Sequence, residues 1–120
     1  MVLVTDAAAI TAAINAKFAT APVLTLKQAA TATTDHILLF ISRRYVADRL
    51  ASGEVTIIGW RVLTRYVCKT EGNVDVFRAR VRAALEDQIL TGDVGPFTFE
   101  TENTTTQDGD WLVSSDSWTY

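Results

Sequence analysis

The feature that most constrains the fold is a long alternating segment in the middle of the chain, residues 59–70 (GWRVLTRYVCKT). One side of the alternation is mostly apolar or aromatic and consists of Trp60, Val62, Thr64, Tyr66 and Cys68. The other side carries spaced cations, Arg61, Arg65 and Lys69. A two-residue period over this length predicts a β-strand. We expect one face of its sheet to lie in the core and the other to contact a partner. A protein fits as that partner better than a substrate does.

Two stretches have the spacing of amphipathic helices. The first has an apolar stripe at four-residue intervals, formed by Ile10, Ile14 and Phe18. Thr5 or Asp6 is expected to cap it, since either side chain can accept from the free amides of the first turn. The second extends from about residue 71 or 73 to 88, with Thr70 as its expected cap. Its apolar stripe consists of Val74, Phe77, Val81 and Leu85. On its exposed side, the i,i+3 spacing predicts a pair between Asp75 and Arg78.

Four further segments are predicted on either side of the second helix. Residues 23–26 are a short strand after Pro22, and residues 36–44 are a strand that is apolar on both faces, a pattern typical of a central strand. Residues 45–54 are a loop that leads into the long strand. Near the C-terminus, residues 97–101 and 111–120 are expected to pair as a hairpin around Asp108 and Gly109.

The order of these elements predicts the fold class. A chain of 120 residues has the length of one domain, so we expect a single domain over residues 1–120. One helix lies on each side of a run of mostly sequential strands, which is an α+β pattern. The expectation is a mostly antiparallel sheet of about four to five strands with two main helices and a C-terminal β-hairpin.

Composition and charge argue against several function classes. The net charge of −3 disfavours a nucleic-acid binder that depends on neutralising phosphates. No apolar run approaches the roughly eighteen residues that a membrane span needs, and the N-terminus has no basic region typical of a signal peptide. Cys68 is the only cysteine, so no intramolecular disulfide can form, and its strand position predicts a buried, inert thiol.

Residues that could support catalysis are sparse. With one histidine, His36, and one cysteine there is no zinc set. The glycines form no phosphate-binding loop. Acids are clustered near the C-terminus, Glu100, Glu102, Asp108, Asp110 and Asp116, but their spacing indicates a solvated hairpin more than a calcium or magnesium site. The interpretation is a protein that is not an enzyme and that needs no cofactor or metal.

The remaining candidates for function are cations and aromatic residues. If the second and third strands pair, a basic stripe would cross the sheet, formed by Arg43, Arg44, Arg61 and Arg65. This stripe could be a subunit interface, a weak phosphate contact or simply exposed charge that solubilises the chain. Trp111 and Trp118 are either core residues or interface anchors, and Tyr120 belongs to the same aromatic end of the chain.

Three of these segments together resemble a known family. They are the run from Gly59 to Val67, the helix from Asn73 to Leu85, and the closing segment from Asp108 to Tyr120. In order and spacing they resemble the tail terminator proteins of long, non-contractile-tailed phages (siphophages), most of all those of actinobacterial phages. The likeness covers residues 35–120 well and the first helix loosely. It identifies no shared site residue.

The resemblance implies a small α+β structural protein of the virion. Such subunits form a homo-oligomeric, hexameric ring that caps the tail tube, ends its polymerisation and offers a surface to the head-side connector protein. Its partners would be further copies of itself, the tail tube protein and the connector, at the tail-neck junction and, during assembly, in the host cytoplasm. DNA would only pass through the lumen, where acids such as Asp108 and Asp110 would keep it from adhering.

Two other classes of protein stay open from the sequence. The first is a head-completion or head-tail connector protein of the neck, since these are also small ring formers. The second is a non-viral module in which the sheet face binds a peptide or small ligand.

Overall fold

The computed structural model describes residues 2–46 and 56–120, with side chains for residues 6–42 and 59–120. The described elements, in chain order, are α1 (Val2–Asn15), α2 (Leu26–Ala29), β1 (His36–Val46), β2 (Thr56–Cys68), α3 (Glu71–Leu85), β3 (Thr98–Glu102), β4 (Thr106–Asp108) and β5 (Trp111–Thr119). The predicted α+β class is confirmed. Of the predicted loop, residues 45 and 46 belong to β1, and residues 47–54 lie outside the described residues.

The strands form one antiparallel sheet in the order β1-β2-β5-β3. The short strand β4 pairs with β5 on the same side as β3, so β3 and β4 follow one another along that edge. Val62 lies opposite Trp118, and Ile37 lies opposite Tyr66, which places these residues on one face of the sheet. This is the sheet with the C-terminal hairpin that the sequence predicts.

The expected central position of β1 is incorrect, because β1 is an edge strand. Its outer edge is met near Ile37 by the segment around Val23: Leu24 N donates to Ile37 O over 3.0 Å, and Ile37 N donates to Pro22 O over 2.9 Å. The apolar character of both faces has a different cause. Odd-numbered residues enter the core, while Leu38 is buried among its neighbours on the other face.

Helices α1 and α3 pack on the same face of the sheet and form the core with it. Apolar stripes supply their contacts: Ile10 and Ile14 from α1, and Val74, Val81 and Leu85 from α3 are all fully buried. The predicted cap of α3 is confirmed, since Thr70 Oγ1 accepts from Asn73 N over 3.2 Å. The other two stripe residues, Phe18 and Phe77, are only partly buried, and Phe18 lies beyond the end of α1.

Three element boundaries differ from expectation. Helix α1 begins at Val2, so neither Thr5 nor Asp6 is its cap. The expected strand at 23–26 is reduced to one bridge at Val23, because Thr25 caps α2 through a reciprocal pair of hydrogen bonds with Gln28. Helix α3 ends at Leu85, since the next residue turns extended and pairs with Phe97.

The C-terminus is tied into the sheet at a position that requires glycine. Trp60 and Tyr120 exchange two backbone hydrogen bonds, of 2.8 and 3.1 Å. Next to this pair Gly59 has φ +151°, and a Cβ there would lie 2.3 Å from Tyr120 O. A side chain at this position would therefore both strain the backbone and collide with the terminal residue. The glycine lets β2 pass closely beside the end of the chain.

Candidate interaction surface

The two faces of the sheet differ in burial. On the face under the helices, Val62, Thr64, Tyr66 and Trp118 are fully buried. The opposite face, here called the open face, is described for Leu38, Phe40 and Ser42 of β1, Arg61, Leu63, Arg65 and Val67 of β2, and Trp111, Val113, Ser115, Ser117 and Thr119 of β5. Most of these side chains are partly exposed, although Leu38 and Val67 are nearly buried. The open face is therefore an apolar and hydroxyl-bearing surface that solvent reaches.

Cations lie against aromatic rings on the open face. The guanidinium carbon of Arg65 is 4.9 Å from the centroid of the Phe40 ring, and Lys69 Nζ is 3.8 Å from that of Trp111. His36 packs edge-on against Trp111, with ring centroids 5.5 Å apart. Cation–π contacts such as these hold long side chains flat on the sheet. The surface combines aromatic area and charge, as many protein interfaces do.

One ion pair crosses the open face. Arg61 of β2 binds Glu100 of β3 through two hydrogen bonds, of 3.0 and 3.3 Å. Both side chains are partly exposed, at 48% and 36%, so the pair contributes little to folding, typically less than about 1 kcal/mol. The bidentate geometry nevertheless fixes where the positive charge of Arg61 lies.

A polar network lies within the core, under α3. Arg78 of α3 donates from Nε to Asp116 Oδ1 over 3.0 Å, and Tyr66 Oη donates to the other carboxylate oxygen over 2.8 Å. Arg78 also contacts Ser114 Oγ and binds Glu102 over 2.9 Å. The network continues through Thr64, which is 2.9 Å from Tyr66 Oη and accepts from Trp118 Nε1 over 3.3 Å.

This network is structural in its chemistry. The Asp116 side chain is fully buried and Arg78 is 12% exposed, so each charge depends on the other for compensation. Burial, together with the negative charge of Asp116, raises the pKa of Tyr66 well above its ordinary value, so the phenol stays a donor. Among the described residues no group of His, Cys, Asp and Glu is arranged to hold a metal ion.

Several predicted site residues lie on or beside the open face. Arg61 and Arg65 project from β2 as the alternation predicts, and Trp111 is half-buried there. Arg43 and Arg44 belong to β1, opposite Trp60 and Gly59, but their side chains lie outside the described part of the structure. This register shows that the two arginine-bearing strands, β1 and β2, pair with each other.

Two residues expected at an interface lie elsewhere. Trp118 is fully buried on the helix-covered face, packed against Phe99 at 5.2 Å between ring centroids, so it offers no surface to a partner. Tyr120 is half-buried and donates from Oη to Asp6 Oδ2 over 2.9 Å, which joins the C-terminus to α1. The physical reason is register: Trp118 lies opposite Val62 and therefore faces the core.

The acids of the β4–β5 turn remain available to a partner. Asp108 and Asp110 are exposed, and neither forms an ion pair with another described residue. They lie at the end of the sheet where Trp111 pairs with Asp108, near Cys68 and away from Arg61.

Sequence analysis missed two parts of these surfaces. Phe40 could have been found by its even-numbered position in β1, which puts it in phase with Leu38. The role of Arg78 could not be found, because i,i+3 spacing predicts an exposed pair with Asp75 while the side chain is directed inward to Asp116. The inward direction of the Arg78 side chain depends on Asp116 of β5, which is 38 residues away in the sequence.

The predicted inert character of Cys68 leads to a testable expectation. The thiol is buried, and burial, with a smaller contribution from the charge of Asp35, raises its pKa from 9.0 to about 12. At pH 8 its reaction with a disulfide reagent should be on the order of a thousandfold slower in the folded protein than after denaturation, because the thiolate is the nucleophile. Reagent release followed by absorbance would measure both rates.

The same shift predicts how Cys68 affects stability. Because its pKa is higher in the folded state, its contribution is complete below pH 9.0 and is lost as the pH rises towards about 12. Cys68→Ala, which lacks the titrating group, should therefore lose less stability than the parent protein over this alkaline window. An equal rate of labelling in folded and denatured protein would contradict a buried thiol.

Comparison of the chain with family models, with curated proteins and with solved structures finds no match. Among the described residues, no helix combines the length and apolar character needed to cross a membrane.

Proposed function

We propose that this chain is a structural subunit of a siphophage tail, a tail terminator that forms a ring at the head-proximal end of the tail tube. In this role it ends tube polymerisation and presents a surface to the head-side connector protein. The proposal rests on the resemblance of residues 59–67, 73–85 and 108–120 to such proteins. The α+β fold is compatible with it.

The single observation that carries the proposal is the open face of the sheet. Trp111, Phe40 and the cations beside them form a partly exposed surface on one side of a fold whose helices α1 and α3 both pack on the other. Aromatic residues next to arginine are enriched at protein interfaces. The face therefore suits a contact with protein, as a ring subunit needs.

The mechanism of a terminator is occlusion and recognition. A ring seated on the last tube layer covers the surface to which another layer would bind, and no bond is made or broken. Acids that a ring turns towards its lumen would repel the phosphates of passing DNA.

The test is deletion of this gene from the phage that carries it, followed by electron microscopy of the lysate. Overlong tail tubes without heads are the expected result, because nothing would stop polymerisation. Tails of normal length beside separate heads would instead indicate a connector protein of the neck. Intact virions would overturn both assignments. Complementation by the intact gene on a plasmid controls for effects of the deletion on neighbouring genes.

A further inference from the structure

Charge is segregated across the sheet. Strands β1 and β2 carry no acid and four cations, Arg43, Arg44, Arg61 and Arg65. Strands β3 and β4, with the turn that follows, carry no cation and four acids, Glu100, Glu102, Asp108 and Asp110. Because the strand order is β1-β2-β5-β3, these two groups occupy opposite sides of one sheet. Strands β1 and β2 are here called the basic side, and strands β3 and β4 with the following turn the acidic side. The two sides lie at opposite edges of the sheet, not on its opposite faces.

The acidic side keeps charge that the chain itself does not neutralise. Glu100 and Glu102 bind Arg61 and Arg78, yet Glu102 remains 54% exposed. Asp108 and Asp110 have no ion pair among the described residues. On the basic side, the guanidinium of Arg65 faces a ring and no described carboxylate. Each side therefore has charged groups that could still pair with groups of the opposite charge.

The basic side also presents an apolar edge. In the described chain another segment meets the outer edge of β1 only near Ile37, and beyond it lies a groove of about 450 Å³. Apolar side chains dominate its lining, among them Val23, Leu26, Leu39 and Ile41. The opposite edge is different, since β3 has an irregular register between Phe99 and Thr101 and bears charged residues. Such features discourage two copies of that edge from pairing with each other.

We infer that the basic β1–β2 side of one copy docks against the acidic β3–β4 side of the next copy. The occupant is a second copy of this chain because the two surfaces have opposite charge and lie on opposite sides of the same sheet. A two-fold contact would bring like charges together, whereas a head-to-tail contact pairs unlike ones. Head-to-tail contacts generate rings when the rotation closes. The inference deepens the proposed ring and rests on it only for closure.

Two charge-reversal variants test this contact by sedimentation velocity over a range of concentrations and at low salt. Arg43→Glu with Arg44→Glu removes the net positive charge of the basic side, and Asp108→Lys with Asp110→Lys removes the net negative charge of the acidic side. We expect each variant alone to associate at least about tenfold more weakly than the parent chain, because the attraction between the two oppositely charged sides is then lost. An equimolar mixture of the two variants should associate again.

Every other outcome overturns the inference. A parent chain that stays monomeric at the highest concentration, variants that associate like the parent, or a mixture no stronger than its components would each do so. Circular dichroism of the variants checks that they fold, and the single change Lys17→Glu, at an exposed residue outside both sides, controls for net charge. If the charge-reversal test fails but the deletion lysate contains overlong tails, only the inferred contact is overturned. If the chains associate head to tail but the deletion lysate contains intact virions, only the phage assignment is overturned.

Discussion

Replacement of Arg78 by methionine is expected to lower the free energy of unfolding by about 3–5 kcal/mol, the cost of breaking a buried ion pair. Methionine is close to the arginine stem in size, so the packing of α3 is largely kept. The Asp116 carboxylate would lose its charged partner while it stays fully buried, and Tyr66 and Ser114 cannot replace that charge. Urea denaturation followed by tryptophan fluorescence would measure the loss.

Arg80 offers a matched control on the same helix. It is exposed and makes a long hydrogen bond of 3.5 Å to Lys17 O, so Arg80→Met should cost less than about 1 kcal/mol. The double variant Arg78→Met with Asp116→Asn should be more stable than Arg78→Met alone, because the uncompensated charge is removed together with its partner. Equal losses at Arg78 and Arg80 would show that the buried pair does not hold the fold together.

The second large effect is expected at Trp118. Trp118→Ala should cost about 3–5 kcal/mol, since a fully buried aromatic side chain is lost and a cavity is left. The indole also packs edge-on against Phe99 and donates to Thr64 Oγ1, so truncation removes a hydrogen bond from the polar network. The loss belongs to folding of the subunit and should appear in the purified monomer.

Trp111 is the natural comparison for Trp118. It lies on the open face, half-buried, against Lys69 and His36, so Trp111→Ala should cost only about 1 kcal/mol of stability. If the open face is an interface, this variant should nevertheless impair assembly, which sedimentation would detect at concentrations where the parent chain associates. Similar losses of stability at both tryptophans would contradict the difference between the two faces.

The long strand and both main helices could be predicted because their signals are local. Alternation from Val62 to Cys68 and the apolar stripe of α3 each encode a buried face through spacing alone. Thr70 could be recognised as a cap for the same reason, since its partner is three residues away. The short segment 23–26 could not be assigned, because a reciprocal cap at Thr25 and Gln28 competes there with β-propensity.

The order of strands and the direction of single side chains depend on distant partners. Nothing in the sequence near β1 indicates that it is an edge strand. Only in the folded chain does β2 pair along one side of β1 while the segment around Val23 meets the other side at a single bridge. Trp111 and Trp118 are the same residue type and close in sequence, yet they are an odd number of positions apart along β5, so they project from opposite faces. The packing of α1 and α3 onto the sheet determines which of those two faces is covered.

Local periodicity thus established the class of fold, the main helices, the long strand and the phase that separates Tyr66 from Arg65. Contacts between distant segments established the rest: the buried Arg78–Asp116 pair, the core position of Trp118, and the division of charge between the two sides of the sheet. The physical reason is the range of the interactions. Alternation and capping act within a few residues, whereas charge compensation and strand order require partners that only the folded chain brings together.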